Sequence, residues 1–491
     1  MVYVDRGGTF VLIKNIKYSF LQNFLSLILG FVISIYVARI LRPDKLGEYS
    51  YYLWLVSFLN TFIILSLPGT ISKYISQWYP NKIENIKFLF KKFGIFHNIL
   101  CILVSLSIII FSILFPTKIK YAGLLILLTV LFYTNTILSS IATGLQKFNI
   151  LMISNLTSLI CQFVLIFSIL KKFPYPSVMI KIYIFSYLFS FFILTISNFN
   201  FFIELKKIKY LTGEKEIFSK VFSFYKFSVI ILILDYIVWQ NSEIFFLKLF
   251  SSLKEISFYT ISFTLAYYPP KIIGSAIGRV AMPYMSSVYG YKEYQKLNLS
   301  YNQFTNILSF LLIPIYVFMF FFAKQIIYAL YGEEYIYSYK VMIFLLFSGL
   351  VGGISSIGSS YIYAIEKPDI IVNIGIKVSI INIVLNLLLI PSYGSVGAAI
   401  GNSFSQILAC IMGTGYIIKN FKLEFPFLDI VKYLLFSIFL SLISKFFVAS
   451  YINNKFYLIL FAVFYYSVYL FIFLIIFNQQ KNLKSLISGL K

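Results

Sequence analysis

Apolar runs of eighteen or more residues recur from end to end of the chain, separated by short polar segments rich in Lys. A run of that length crosses ~30 Å of hydrocarbon as an α-helix. The pattern predicts fourteen spans, beginning with Tyr18–Ile40 and Leu46–Leu67 and ending with Ile430–Ala449 and Tyr457–Phe477. The seventh and eighth fall at Phe224–Phe250 and Ile256–Ala281. No connection between spans is long enough for a soluble domain. The expected fold class is an all-α integral membrane protein of about 14 transmembrane helices. The first span is longer than the apolar core of a signal peptide and no small-residue cleavage site follows it, so the N-terminus is expected to be retained.

Composition agrees: apolar types make up 60% of 491 residues and charged types 12%, against about a quarter charged in a soluble domain. The formal net charge is +24. In a soluble chain that excess would raise nucleic acid as a partner. Here the basic residues sit in short loops between apolar spans, so no nucleic acid is expected and the charge instead orients the chain in a bilayer. Part of the excess simply reflects a chain rich in Lys, Ile, Phe, Tyr and Asn. With the N-terminus inside, one face collects Lys82, Lys87, Lys91 and Lys92, then Lys206, Lys207, Lys209 and Lys215, then Lys481, Lys484 and Lys491. That face holds roughly two-thirds of the 41 Lys and Arg residues, which places both termini in the cytoplasm of a cell-membrane protein. The three cysteines, Cys101, Cys161 and Cys410, lie inside apolar spans with no spacing that suggests a metal or disulfide framework.

The chain also repeats itself. Tyr74-Ile-Ser-Gln-Trp-Tyr-Pro-Asn-Lys82 shares Tyr, Ser, Tyr and Lys with Tyr284-Met-Ser-Ser-Val-Tyr-Gly-Tyr-Lys292, and the same offset carries Tyr49 onto Tyr259. Further on, Gln146-Lys147 lies over Glu366-Lys367, and Tyr175-Pro-Ser-Val178 over Tyr393-Gly-Ser-Val396. Each match is weak, but their order is harder to obtain by chance. Spans one to six therefore repeat as spans seven to twelve. An even shift preserves orientation, so the repeats are parallel, an arrangement transporters use to build a substrate path. The expected domains are a six-helix bundle at residues 1–212, a second at 213–425, and two additional helices with a cytoplasmic tail at 426–491.

Four segments carry a family resemblance. Ala38-Arg-Ile-Leu-Arg-Pro-Asp-Lys-Leu-Gly-Glu-Tyr-Ser50 resembles the signature after the first helix of polysaccharide flippases. Thr143-Gly-Leu-Gln-Lys-Phe148 resembles their loop before helix five, and Leu330-Tyr-Gly-Glu-Glu-Tyr335 their loop before helix ten. The fourth, Asn386-Leu-Leu-Leu-Ile-Pro-Ser-Tyr-Gly-Ser-Val-Gly-Ala-Ala-Ile400, resembles their turn between helices eleven and twelve. The chain thus resembles, over essentially its whole length, the Wzx-type oligosaccharide-lipid flippases of the multidrug/oligosaccharidyl-lipid/polysaccharide (MOP) exporter superfamily. The resemblance implies two six-helix bundles around a central cavity, two extra helices and alternating access. The implied cargo is an oligosaccharide on a polyprenyl or dolichyl (pyro)phosphate. On helix seven many members carry an Asn-x-Asp-Arg segment; this chain has Asn241-Ser-Glu-Ile, which keeps a carboxylate at Glu243 and loses the Arg.

Ionisable side chains inside a membrane are costly and point to a pathway. Asp235 and Glu243 are eight residues apart on helix seven, and Lys271 and Arg279 repeat that spacing on helix eight. Lys377 lies two turns into helix eleven, Lys73 near the inner end of helix two, and Arg39 at the outer end of helix one. The functional reading gives Lys271, Lys377, Arg279, Lys73 and Arg39 to the phosphate of the cargo, and Asp235 and Glu243 to a coupling H+ or Na+. The plainer reading has Lys73 and Arg279 snorkelling to the interface and the carboxylates bridging to neighbouring helices. Depth from the inner surface suggests that Asp235 and Lys271 meet. His97 is either an interfacial side chain or a titrating switch. Pro269-Pro270 should kink helix eight. Gly349, Gly352, Gly353 and Gly358 should allow close helix contact in helix ten.

Two other functions compete. A small-molecule multidrug exporter of the same superfamily would usually stop at twelve helices. A membrane glycosyltransferase or polymerase would need carboxylates in a sizeable external loop, and only Glu333-Glu334 offers a pair. The chain has no phosphate-binding Gly-rich loop ending in Gly-Lys-Ser/Thr, and no cofactor is expected.

Overall fold

The computed structural model describes residues 6–115, 120–208, 214–239, 242–421, 423–448 and 455–476, and among these every regular element is helical. In the N-terminal half these are α1 (Arg6–Ile64), α2 (Leu67–Trp78), α3 (Ile83–Leu89), α4 (Ile95–Leu114), α5 (Ala122–Gly144), α6 (Phe148–Leu165) and α7 (Pro176–Lys207). Then come α8 (Glu214–Trp239), α9 (Glu243–Phe250), α10 (Leu253–Gly290), α11 (Tyr294–Phe321), α12 (Ala323–Tyr331), α13 (Ser338–Ala364), α14 (Pro368–Phe421), α15 (Phe427–Val448) and α16 (Lys455–Ile476). A π-helical turn, Phe90–Gly94, carries α3 into α4, and another, Ile166–Leu170, ends α6.

Each of the fourteen expected spans falls on a helix. Two pairs of spans share one kinked helix. In α1 the break is at Arg42 (φ 61°, ψ 169°), just before Pro43, whose ring disfavours the helical conformation for the residue before it. In α14 the break is at Gly394 (φ 54°, ψ −131°), three residues after Pro391. The described residues of span seven belong to α8, up to Trp239, and to α9, from Glu243. Helix α10 stays helical through Pro269 and Pro270.

Two short helices were not expected. On α2 the residues Leu67, Thr70, Ile71, Tyr74, Ile75 and Trp78 are buried, one face of a 3.6-residue period. The left-handed backbone at Leu65 and Ser66 (φ 34° and 65°) separates it from α1. Lys73 therefore lies on this short helix and not on helix two. The second, α12, packs against α13 and α16.

The chain gathers into two compact units, Met1–Asp235 and Tyr236–Lys491. The division falls inside α8, because Val221 and Tyr225 of α8 are buried with Ile71, Tyr74, Leu89, Ile141 and Phe201 of the first unit. In the second unit α13 packs on both α10 and α14. At Gly349 of α13 a Cβ would come within 2.7 Å of both the Ala266 carbonyl and the Tyr316 hydroxyl, so this contact is as close as the glycines led one to expect. Helices α15 and α16 pack on α11, with Tyr433 and Tyr469 buried against Phe310, Ile313 and Val317.

The repeat is visible in one turn. Gln146 and Glu366 both have positive φ (57° and 58°). Each is followed by a Lys whose N–H reaches back five residues, Lys147 to Ala142 O (2.9 Å) and Lys367 to Ile362 O (3.2 Å). This is the helix-ending bond pattern that closes a left-handed cap, built at corresponding positions of the two halves.

Candidate functional site

Glu243 opens α9, with the Ser242 hydroxyl donating to Ile237 O at 2.7 Å. A carboxylate in the first turn is favoured by the exposed N–H groups there. Its side chain is turned inward and has no solvent exposure (0%). Tyr259 of α10 donates to Glu243 Oε2 at 2.9 Å. Two amides of α14 donate to Oε1: Asn382 at 3.1 Å, before the kink, and Asn402 at 2.8 Å, after it. Asn386, one turn after Asn382, donates to Asn382 Oδ1 at 2.9 Å, and its own Oδ1 is buried with no hydrogen-bond partner. Helix α9 thus lays a carboxylate against both arms of a kinked helix.

The three side-chain donors to this carboxylate are neutral, and among the described residues no Lys or Arg lies within ion-pair distance of it. A buried anion satisfied only by neutral donors carries a large desolvation cost. A proton or a small cation removes that cost. Asn382 and Asn402 turn their amide N–H groups to the carboxylate, while the oxygen of Asn382 accepts from Asn386 and that of Asn402 from Tyr267.

The site continues inward. The Tyr267 hydroxyl of α10 is 3.3 Å from Asn402 Oδ1 and 2.8 Å from Ser348 Oγ, and it also bonds Gln406 Oε1. Ser348 is in turn 3.1 Å from Ser403 Oγ. One hydroxyl proton cannot serve both amide oxygens at once, so Tyr267 must choose between Asn402 and Gln406.

Among the described residues of the second unit, Lys377 makes no hydrogen bond or ion pair with this cluster. Lys73 sits with Nζ 3.5 Å over the Phe224 ring, in the first unit. Arg39 is exposed one turn before the kink of α1, Asp235 is exposed on α8, and Lys377 is exposed on the first arm of α14. The side chains of Lys271 and Arg279 lie outside the described residues, and so does the expected Asp235–Lys271 contact. His97 is fully buried (0%), not interfacial: its Nδ1 meets Phe93 O at 2.7 Å and Tyr225 donates to its Nε2 at 3.1 Å.

The partners of Glu243 escaped the sequence reading because they are uncharged. Signals for them existed: Asn382 and Asn386 are four residues apart on one helix face, Asn386 opens the fourth family segment, and Tyr259 repeats Tyr49.

The chain belongs to the polysaccharide biosynthesis protein family, whose profile matches residues 12–289. It is 25% identical over 478 residues to an uncharacterized membrane protein of Methanocaldococcus jannaschii, an alignment covering 90% of each chain. A 162-residue stretch is 26% identical to an uncharacterized membrane protein in the cps region of Klebsiella pneumoniae, covering 33% of each. The fold matches the lipid II flippase MurJ in an inward closed conformation with a TM-score of 0.71 at 18% identity, over 93% of this chain and 98% of that one. It matches an inward-facing multidrug resistance MATE family transporter of the MOP superfamily with a TM-score of 0.60 at 16% identity, over 81% and 94%. The chain shares its fold with both of these proteins.

Proposed function

We propose that this protein is a transporter, not an enzyme, and moves an oligosaccharide linked to a polyprenyl or dolichyl (pyro)phosphate across the cytoplasmic membrane by alternating access. Membership in the polysaccharide biosynthesis family carries the cargo class. The dry carboxylate of Glu243 carries the energetics. It can take up H+ or Na+, and a group that is costly when empty and satisfied when filled ties ion occupancy to conformation. Asp235 is a second candidate for the ion. Lys271, Lys377, Arg279, Lys73 and Arg39 are the candidates for the cargo phosphate. The repeats at 1–212 and 213–425 supply the two like bundles, with 426–491 appended. A multidrug exporter is the weaker reading, since the MATE fold covers 81% of the chain and the flippase fold 93%.

Deleting the gene from its host is expected to strip surface polysaccharide and to accumulate lipid-linked saccharide protected from added periodate in intact cells. An unchanged lipid-linked pool would end the proposal.

Both termini are proposed to be cytoplasmic. A Cys at Lys340 should then react with a membrane-impermeant maleimide in intact cells, and a Cys at Lys91 only after permeabilisation. The reverse pattern would invert the topology.

A further inference from the structure

Three short segments of the second unit converge on one cavity of ≈ 580 Å³. They are Ser251-Ser252 between α9 and α10, Tyr337 to Lys340 at the start of α13, and Ser392 to Val396 at the kink of α14. In the proposed topology all three face outside. The volume falls within the ~300–1,000 Å³ typical of small-molecule sites.

The floor of the cavity is built with close tolerances. Glu255 Oε2 accepts from Ser395 N at 2.9 Å and from the Ser395 hydroxyl. The kink residue Gly394, with φ 54°, is held so close that a Cβ there would lie 2.9 Å from the same oxygen. Among the described residues Glu255 Oε1 takes no hydrogen bond, which leaves it as an acceptor at the cavity. On the facing wall Lys340 Nζ lies 5.2 Å from the centre of the Tyr337 ring. The Tyr337 and Tyr393 rings are 38% and 61% exposed. Burial, with Glu255 nearby, pushes the Tyr337 hydroxyl above its ordinary range, so it stays a neutral donor.

We propose that this cavity is a docking site for a sugar ring of the cargo at the outer mouth of the second unit. Aromatic rings offer flat apolar faces with a polar handle, which suit the C–H face of a pyranose. Sugar hydroxyls need donors and acceptors in a small space; Ser251, Ser252, Ser392, the free Glu255 oxygen and the Lys340 ammonium supply both. One carboxylate and one ammonium leave the lining without net charge, unlike a phosphate site. Hydroxyls and charges also make it a poor berth for a lipid tail. The inference rests on the flippase reading for the class of ligand.

The position gives the site a consequence. Asn382 and Asn402, which donate to the Glu243 carboxylate from the two arms, are twelve and eight residues from Gly394, about 18 Å and about 12 Å along those arms at ~1.5 Å per residue. A sugar that engages Glu255 pulls on the clasp at Ser395 that fixes the angle between those arms. Sugar at the outer mouth and ion at Glu243 therefore act on the same kink.

The test uses full-length protein in lipid nanodiscs on an array of printed bacterial oligosaccharides without lipid. The wild type is expected to bind a subset, and the double variant Lys340→Ala/Tyr393→Ala to lose at least tenfold in binding with an unchanged melting temperature. Gly413→Ala, where nothing lies within 4 Å of the Cβ position, should bind like the wild type. No binding by the wild type, equal binding by the double variant, or binding that requires a phosphorylated glycan and survives Tyr393→Ala would each overturn the site. The two readings part cleanly. Protein that binds saccharide but moves no lipid-linked sugar in cells would overturn the flippase and leave the site standing. Protein that restores surface polysaccharide but binds no saccharide would do the opposite.

Discussion

Glu243→Gln is expected to fold normally and to lose at least about tenfold of ion-driven transport, a change of ~1.4 kcal/mol in the driven step. The glutamine keeps the shape of the side chain and one oxygen for the amides of Asn382 and Asn402, which donate to Glu243 Oε1 at 3.1 and 2.8 Å. It cannot take up a proton or offer a charge to a cation. Glu243→Leu separates structure from coupling, because it leaves two amide donors and the Tyr259 hydroxyl facing an apolar group. Each stranded donor costs about 1–3 kcal/mol, so this variant should melt well below the wild type where the glutamine variant does not. Tyr267→Phe belongs to the same experiment. It removes the one proton that Asn402 and Gln406 compete for. The expected result is a flattened dependence of transport on the coupling ion with the fold retained. Transport should be followed in proteoliposomes with imposed Na+ and pH gradients. If Glu243→Gln responds to either gradient as the wild type does, Glu243 is a structural group and the coupling assignment falls.

The membrane architecture was legible because a crossing leaves a mark some twenty residues long, and no other local feature imitates it. The features it missed are shorter than that window. Helix α2 has 12 residues and α12 has 9, and each shows its amphipathic period only when the long apolar runs are set aside. That is how Lys73 came to be placed on helix two. The kinks were partly legible: Pro43 and Pro391 lie beside the breaks at Arg42 and Gly394.

The candidate site divided along similar lines. Glu243 could be picked out because a charge in hydrocarbon is costly wherever it lies. Its partners are neutral and come from 16, 139 and 159 residues away, distances over which one sequence without its fold carries no pairing signal. The same cost criterion selected Asp235, Lys377 and Arg39, which the structure leaves exposed. Intramembrane charge nominates residues without saying which of them is enclosed.

Gly397→Ala is expected to destabilise the fold by about 3 kcal/mol, at the upper end for an overpacked site. A Cβ at Gly397 would lie 2.4 Å from Leu389 O, 2.7 Å from Leu389 C and 3.1 Å from Ile390 N. These are backbone atoms of the opposite arm of α14, so no side-chain rotation relieves the clash. The kink itself must open. Gly394→Ala faces a different penalty, a backbone at φ 54° and ψ −131° that favours glycine and the Glu255 carboxylate at 2.9 Å, and about 1–3 kcal/mol covers the backbone part. Gly413→Ala is the control: nothing lies within 4 Å of its Cβ position, and an alanine inside a helix is worth up to about 1 kcal/mol over glycine. Thermal unfolding of the three variants in one detergent should therefore rank Gly397→Ala lowest, Gly394→Ala between, and Gly413→Ala at or above the wild type. A Gly397→Ala protein that melts with the wild type would mean the two arms are not in contact. In that case the pocket they form around Glu243, with Asn382 on one arm and Asn402 on the other, would lose its geometric basis.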